Sequence, residues 1–170
     1  MSAIVLVGVP GAGKTTVGKL LAKELGLEFF DSDQVIEARV GKSVSDIFTQ
    51  EGEPAFRQIE HDVIVELLNS NNVVFALGGG SLGNDDTRAR VKSARAVWLV
   101  TGLAQAVDRV GMNRNRPLLL GNVRGQLADL MTAREPLYKE VAAIAVDTSK
   151  LIPSEVVTEI VSELEKLESA

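Results

Sequence analysis

The chain has no cysteine and a single histidine, His61. The first absence excludes a disulfide framework and thiolate-held zinc or iron–sulfur centres, and the second excludes a histidine-rich metal site. Aromatic residues make up only 4% of the chain. No stretch reaches the ~18 consecutive apolar residues that would span a bilayer. Residues 1–9 lack the charged and long apolar segments of a secretory signal, so the expected address is the cytoplasm, away from membranes. Positive charge is also scarce: 18 Lys and Arg against 23 Asp and Glu leave a formal net charge of −5. No global field then favours a nucleic-acid backbone, and basic groups must act locally.

What is present is enough apolar material for one core. With 170 residues, 45% hydrophobic, the expectation is a single domain over residues 1–170, acting as a monomer. Strand-like runs over 3–7, 28–31, 73–77, 96–100 and 144–146 alternate with helical patterns, which implies crossovers and a mostly parallel, buried α/β sheet. The helix after the first run carries Val17, Leu20, Leu21, Ala22 and Leu25 and stops at Gly26. The closing helix, 154–168, spaces Val157, Ile160, Val161, Leu164 and Leu167 along one stripe.

Between the first strand and first helix stands Gly8-Val9-Pro10-Gly11-Ala12-Gly13-Lys14-Thr15, the pattern G-x-x-x-x-G-K-[ST] in its required strand-to-helix context. Glycines let main-chain N–H groups close on an anion, Lys14 reaches β- and γ-phosphates, and Thr15 offers a hydroxyl to Mg²⁺. The chain is therefore expected to handle a nucleoside triphosphate.

Asp31-Ser32-Asp33 ends the second strand run. On extended chain the two carboxylates point to one side, with Asp31 expected on the metal and Asp33 on an attacking hydroxyl. The competing reading is a cap for a helix starting at Gln34. The helix over 53–68 puts Phe56, Ile59, Val63, Ile64 and Leu67 on one face, with Glu60 inside the same stripe. A buried carboxylate needs a partner, and Arg57, three residues earlier, is the candidate. That pair is either structural, or Glu60 holds the Arg57 fork for a substrate carboxylate. His61 falls toward the opposite face and is expected in solvent. Gly78-Gly79-Gly80 follows the third strand, where open α/β sheets bind ligands. Residues 111–125 carry Gly111, Gly121, Gly125, Arg114 and Arg116 and are expected to form a closing loop. Arg134 by itself reads as a surface arginine.

Taken together, the cradle, Asp31-Ser32-Asp33, Phe48-x-x-x-Gly52-Glu53-x-x-Phe56-Arg57-x-x-Glu60, Gly78-Gly79-Gly80, Arg116-Pro117-Leu118 and Arg134-x-Pro136-Leu137-Tyr138 resemble the shikimate kinase family over essentially the whole chain. The resemblance implies a P-loop kinase in the nucleoside-monophosphate-kinase style. Its three layers hold a five-stranded parallel sheet with helices on both faces, an acceptor-binding region over about 32–62 and a lid over about 111–125. It implies transfer of the ATP γ-phosphoryl group to the 3-hydroxyl of shikimate. Shikimate would meet Asp33, Arg57, Arg134 and the main chain of Gly78, Gly79 and Gly80, with Phe48 and Phe56 as walls and Glu60 supporting Arg57. ATP would meet Gly11, Ala12, Gly13, Lys14, Thr15 and Thr16, with Mg²⁺ on Thr15 and, through water, Asp31. Arg116 would touch the phosphates, Arg109 and Pro153 would flank adenine, and Lys14, Asp33 and Arg116 would carry the chemistry. Two other classes compete: a kinase for another small acid such as gluconate, and a nucleotide-binding module without catalysis.

Overall fold

The computed structural model describes residues 1–112 and 122–170. Five short strands, β1 (Ile4–Val7), β2 (Glu28–Asp31), β3 (Val73–Ala76), β4 (Arg95–Val100) and β5 (Ile144–Asp147), form one parallel sheet in the order β2-β3-β1-β4-β5. β1 and β3 are apolar at every position and wholly buried, as expected of inner strands covered on both faces. Val5 pairs with Phe75 on one side and Ala96 on the other, so the register places the apolar runs of three strands side by side.

The helices are α1 (Lys14–Leu25), α2 (Ser32–Val40), α3 (Val44–Glu51), α4 (Glu53–Asn69), α5 (Asp85–Lys92), α6 (Leu103–Met112), α7 (Val123–Val141) and α8 (Pro153–Ser169). Right-handed crossovers put α1 on one face of this strand order and α4, α5 and α7 on the other, and α8, which follows the last strand, packs beside α1. Contacts of α1 with β3 and α8, and of α5 and α7 with β4, agree with that arrangement. Gly18 lets α1 press onto the sheet, because a Cβ there would run into the Phe29 ring. Two helices, α3 and α5, are only 8 residues each, too short for periodicity to single them out. Both are capped, by Ser43 and Asn84.

Three adjacent strands, β2, β3 and β1, end at the same edge of the sheet. Their C-terminal ends carry Asp31, the triple glycine and the start of the cradle. Segments far apart in sequence are thus delivered to one place by sheet register alone.

Candidate active site

The cradle follows β1 as an open turn. Ala12 N–H donates to Val9 C=O at 3.0 Å, and Gly13, in the left-handed region at φ 90°, caps α1. A glycine cap has no side chain to satisfy the first-turn N–H groups, and that turn holds no acidic residue. The exposed hydroxyls of Thr15 and Thr16 lie in the same turn. Lys14 Nζ donates to Gly8 C=O at 2.6 Å and to Val9 C=O at 3.2 Å, so its ammonium curls over the loop. Arg109 on α6 donates to Gly11 C=O at 3.0 Å, and Gly11 sits against Ala106 with no room for a Cβ. Gln105 on the same helix donates to the Ser149 carbonyl, tying α6 to the segment before Pro153, which is exposed at the start of α8.

Asp31 is the cap of α2: its Oδ1 accepts from Asp33 N–H at 2.9 Å and Gln34 N–H at 3.3 Å. The helix therefore begins at Ser32, two residues earlier than the pattern suggests. Asp33 is helical, so the expectation of two carboxylates side by side on extended chain is corrected. They remain close enough to feel each other. Burial pushes the Asp33 carboxyl up to about 6, the charge of Asp31 adds to this, and Lys14 and Arg57 oppose it.

Glu60 is 3% exposed on the core face of α4 and accepts from Arg57 Nη1 at 2.8 Å, the pairing that the spacing predicts. Burial pushes Glu60 up to about 7, against the pull of the Arg57 hydrogen bond and charge. Arg57 also contacts Glu53 at 3.4 Å and lies over the rings of Phe48 and Phe56, at 5.6 and 5.3 Å from their centroids. Those rings pack with centroids 4.5 Å apart, so the guanidinium is braced by charge and by stacking.

The triple glycine joins these groups. None of Gly78, Gly79 or Gly80 has a positive φ, so what their lack of a side chain provides is room for close approach and not a special backbone conformation. A Cβ on Gly78 would stand 2.7 Å from Asp33 Oδ1 and 3.2 Å from Glu60 Oε2; one on Gly79 would strike the Arg134 guanidinium, and one on Gly80 that of Arg57. Arg134 is thus no ordinary surface arginine: α7 carries it into the cluster, one turn before Tyr138, whose phenol is held high by burial. The result is two guanidiniums and two carboxylates around bare main chain.

His61 is corrected too. Its Nδ1 is 2.7 Å from Thr87 Oγ1 and its Nε2 3.0 Å from Asp86, so it bridges α4 to α5 rather than facing solvent. Of the expected lid, Gly111 and Met112 close α6, and Val123, Arg124 and Gly125 open α7. Arg114, Arg116 and Gly121 lie outside the described residues.

A phosphate cradle at the C-terminal edge of a parallel sheet, facing a cluster that suits a small anion, defines a P-loop kinase of the nucleoside-monophosphate-kinase type. The shikimate kinase family model matches residues 10–165, and the chain belongs to that family. A shikimate kinase of Thermobifida fusca is 49% identical over 160 residues, 94% of this chain and 93% of that protein. One from Pseudomonas entomophila is 45% identical, covering 98% of each chain. The structure of the Acinetobacter baumannii shikimate kinase in complex with shikimate superposes with a TM-score of 0.91 at 38% identity, covering 98% of this chain and 94% of the other. A gluconokinase of Sinorhizobium meliloti, 21% identical with a TM-score of 0.63, shares the fold alone.

Proposed function

We propose that the chain transfers the γ-phosphoryl group of ATP to the 3-hydroxyl of shikimate, giving shikimate 3-phosphate and ADP. The observation that carries this is the convergence of Arg57, Arg134 and Asp33 on the Gly78-Gly79-Gly80 main chain, next to the cradle. Paired arginines suit a carboxylate, and an aspartate suits ring hydroxyls. Family membership names the same acceptor class.

The ATP tail lies on the cradle N–H groups of residues 11–16, with Lys14 swinging from the Gly8 carbonyl to the β- and γ-phosphates. Asp33 receives the hydroxyl proton as the acceptor oxygen bonds to the γ-phosphorus and the bond to the β-phosphate oxygen breaks. A carboxyl raised to about 6 can hold that proton better than an ordinary aspartate. The Thr15 hydroxyl and the Asp31 oxygen not used in capping are the groups that fit Mg²⁺. Among the described residues no three carboxylate or imidazole groups converge on a cage, so most of its ligands would be phosphate and water oxygens. When bound, the ion supplies charge neutralisation across the β- and γ-phosphates. Residues 32–62 serve as the acceptor region, with Phe48 and Phe56 as its apolar wall. Arg109 and Pro153 flank the adenine, Arg116, outside the described residues, is assigned to the phosphates, and the chain works as a cytoplasmic monomer.

The test is ADP release measured with shikimate, gluconate and nucleoside monophosphates as acceptors. Shikimate should stimulate turnover and give the 3-phosphate; preference for gluconate, or no acceptor stimulation, overturns the proposal.

A further inference from the structure

We infer that Ser32 and Ser81 are positioning residues for the acceptor: their hydroxyls clasp Gly78 on both sides of its Cα, one at its N–H and one at its C=O, and set the triple glycine in register with the charged cluster. The inference rests on the reading of that cluster as the acceptor site. Ser32 Oγ accepts from Gly78 N–H at 2.9 Å, across 46 residues of sequence, and Ser81 Oγ donates to Gly78 C=O at 2.6 Å. Both serines are sealed, at 0% and 1% exposure. Burial removes competing water, so a broken bond here leaves an unsatisfied polar group rather than a hydrated one.

The clasp does two things at once. Ser32 opens α2 between Asp31 and Asp33, so the bond that holds Gly78 also holds the helical turn from which Asp33 reaches the site. Ser81 opens the short 3-10 turn Ser81–Gly83, which fixes where the chain leaves the glycines. Gly78 lies against Asp33 and Glu60, Gly79 against Arg134 and Gly80 against Arg57. A small rotation of either peptide flanking Gly78 would therefore shift the main chain against all four charged groups. Serine at position 32 looks like a helix cap in sequence, but Asp31 does the capping, which frees the Ser32 hydroxyl for the loop.

The test compares Ser32→Ala and Ser81→Ala with the unmodified chain. The readouts are KM for shikimate and ATP, ADP affinity, and hydrogen exchange at the Gly78 amide. Ser32→Ala should raise the shikimate KM about tenfold by orphaning a buried donor, leave ATP KM and ADP affinity unchanged, and speed Gly78 exchange. Ser81→Ala should act in the same direction but less, since Ser81 N–H still donates to Gly78 C=O at 3.3 Å. Should Ser32→Ala be too unstable to purify, Ser81→Ala carries the same comparison. An unchanged shikimate KM, or equal weakening of both substrates in step with a lower Tm, overturns the positioning role. Absence of shikimate turnover in the unmodified chain would instead overturn the functional reading, and Gly78 exchange still decides whether the clasp exists.

Discussion

The cradle between β1 and α1 draws its anion-facing groups from consecutive residues, 11–16, whereas the cluster opposite gathers side chains from α2, α4 and α7 around the loop after β3. The cradle works with main-chain N–H groups and a helix end that no side chain caps. The cluster works with charged side chains that must be buried, paired and kept apart. Their costs differ accordingly: a left-handed glycine or two for the cradle, two carboxylates pushed well above their ordinary range for the cluster.

If the two regions are functionally separate, single substitutions should damage one substrate and spare the other. The largest effect is expected from Asp33→Asn, which removes the proton acceptor: kcat should fall roughly 10²-fold or more with ADP affinity intact. A near-normal kcat would reduce Asp33 to a positioning group. Next comes Arg57→Ala, with a loss of about 1.5–3 kcal/mol of acceptor binding and little change toward nucleotide. Since Glu60 is then stranded without its guanidinium, the double variant Arg57→Ala/Glu60→Gln should recover thermal stability but not shikimate affinity. Recovery of both would make the pair purely structural.

A matched pair of glycines sharpens the contrast. Gly13→Ala forces a side chain into φ 90°, a strain of roughly 1–2 kcal/mol, and should raise the ATP KM alone. Gly79→Ala places a methyl on the Arg134 guanidinium and should raise the shikimate KM alone. Crossed effects in kinetic assays would break the division.

The smallest effect is a pH dependence of stability that belongs to the cluster. Glu60 is raised in the folded chain from 4.5 to about 7 and Asp33 from 3.8 to about 6. Between those values the folded state holds more protons than the unfolded chain, so stability falls as pH rises through the window. Glu60→Gln should flatten that slope, read as urea midpoints at about pH 5 and about pH 7.5. A slope identical to that of the unmodified chain would show that Glu60 ionises without cost.

The two regions also differed in how far sequence could reach them. Cradle residues are neighbours in the chain, so their spacing carried their geometry. Arg57 and Glu60 were legible for the same reason, being three apart on one helix. Arg134 by itself reads as a surface arginine and reaches the acceptor site only through the family resemblance, because α7 meets Gly79 only through tertiary packing. His61 read as exposed because a helical wheel does not contain α5, which supplies Thr87 and Asp86. For Asp31-Ser32-Asp33 the sequence offers both an extended pair and a helix cap, and the cap is the one that forms: the Asp31 carboxylate starts α2 at once and turns Asp33 into the helix.

Apolar runs and their alternation with helical stripes determined a buried parallel α/β sheet, since burial on both faces demands continuous hydrophobic strands. The phosphate motif determined a nucleotide site, since its chemistry is local. Only the folded chain decided which charges meet. The strand order brings the ends of β2, β3 and β1 together, and whether a carboxylate is costly or ordinary depends on what is packed around it.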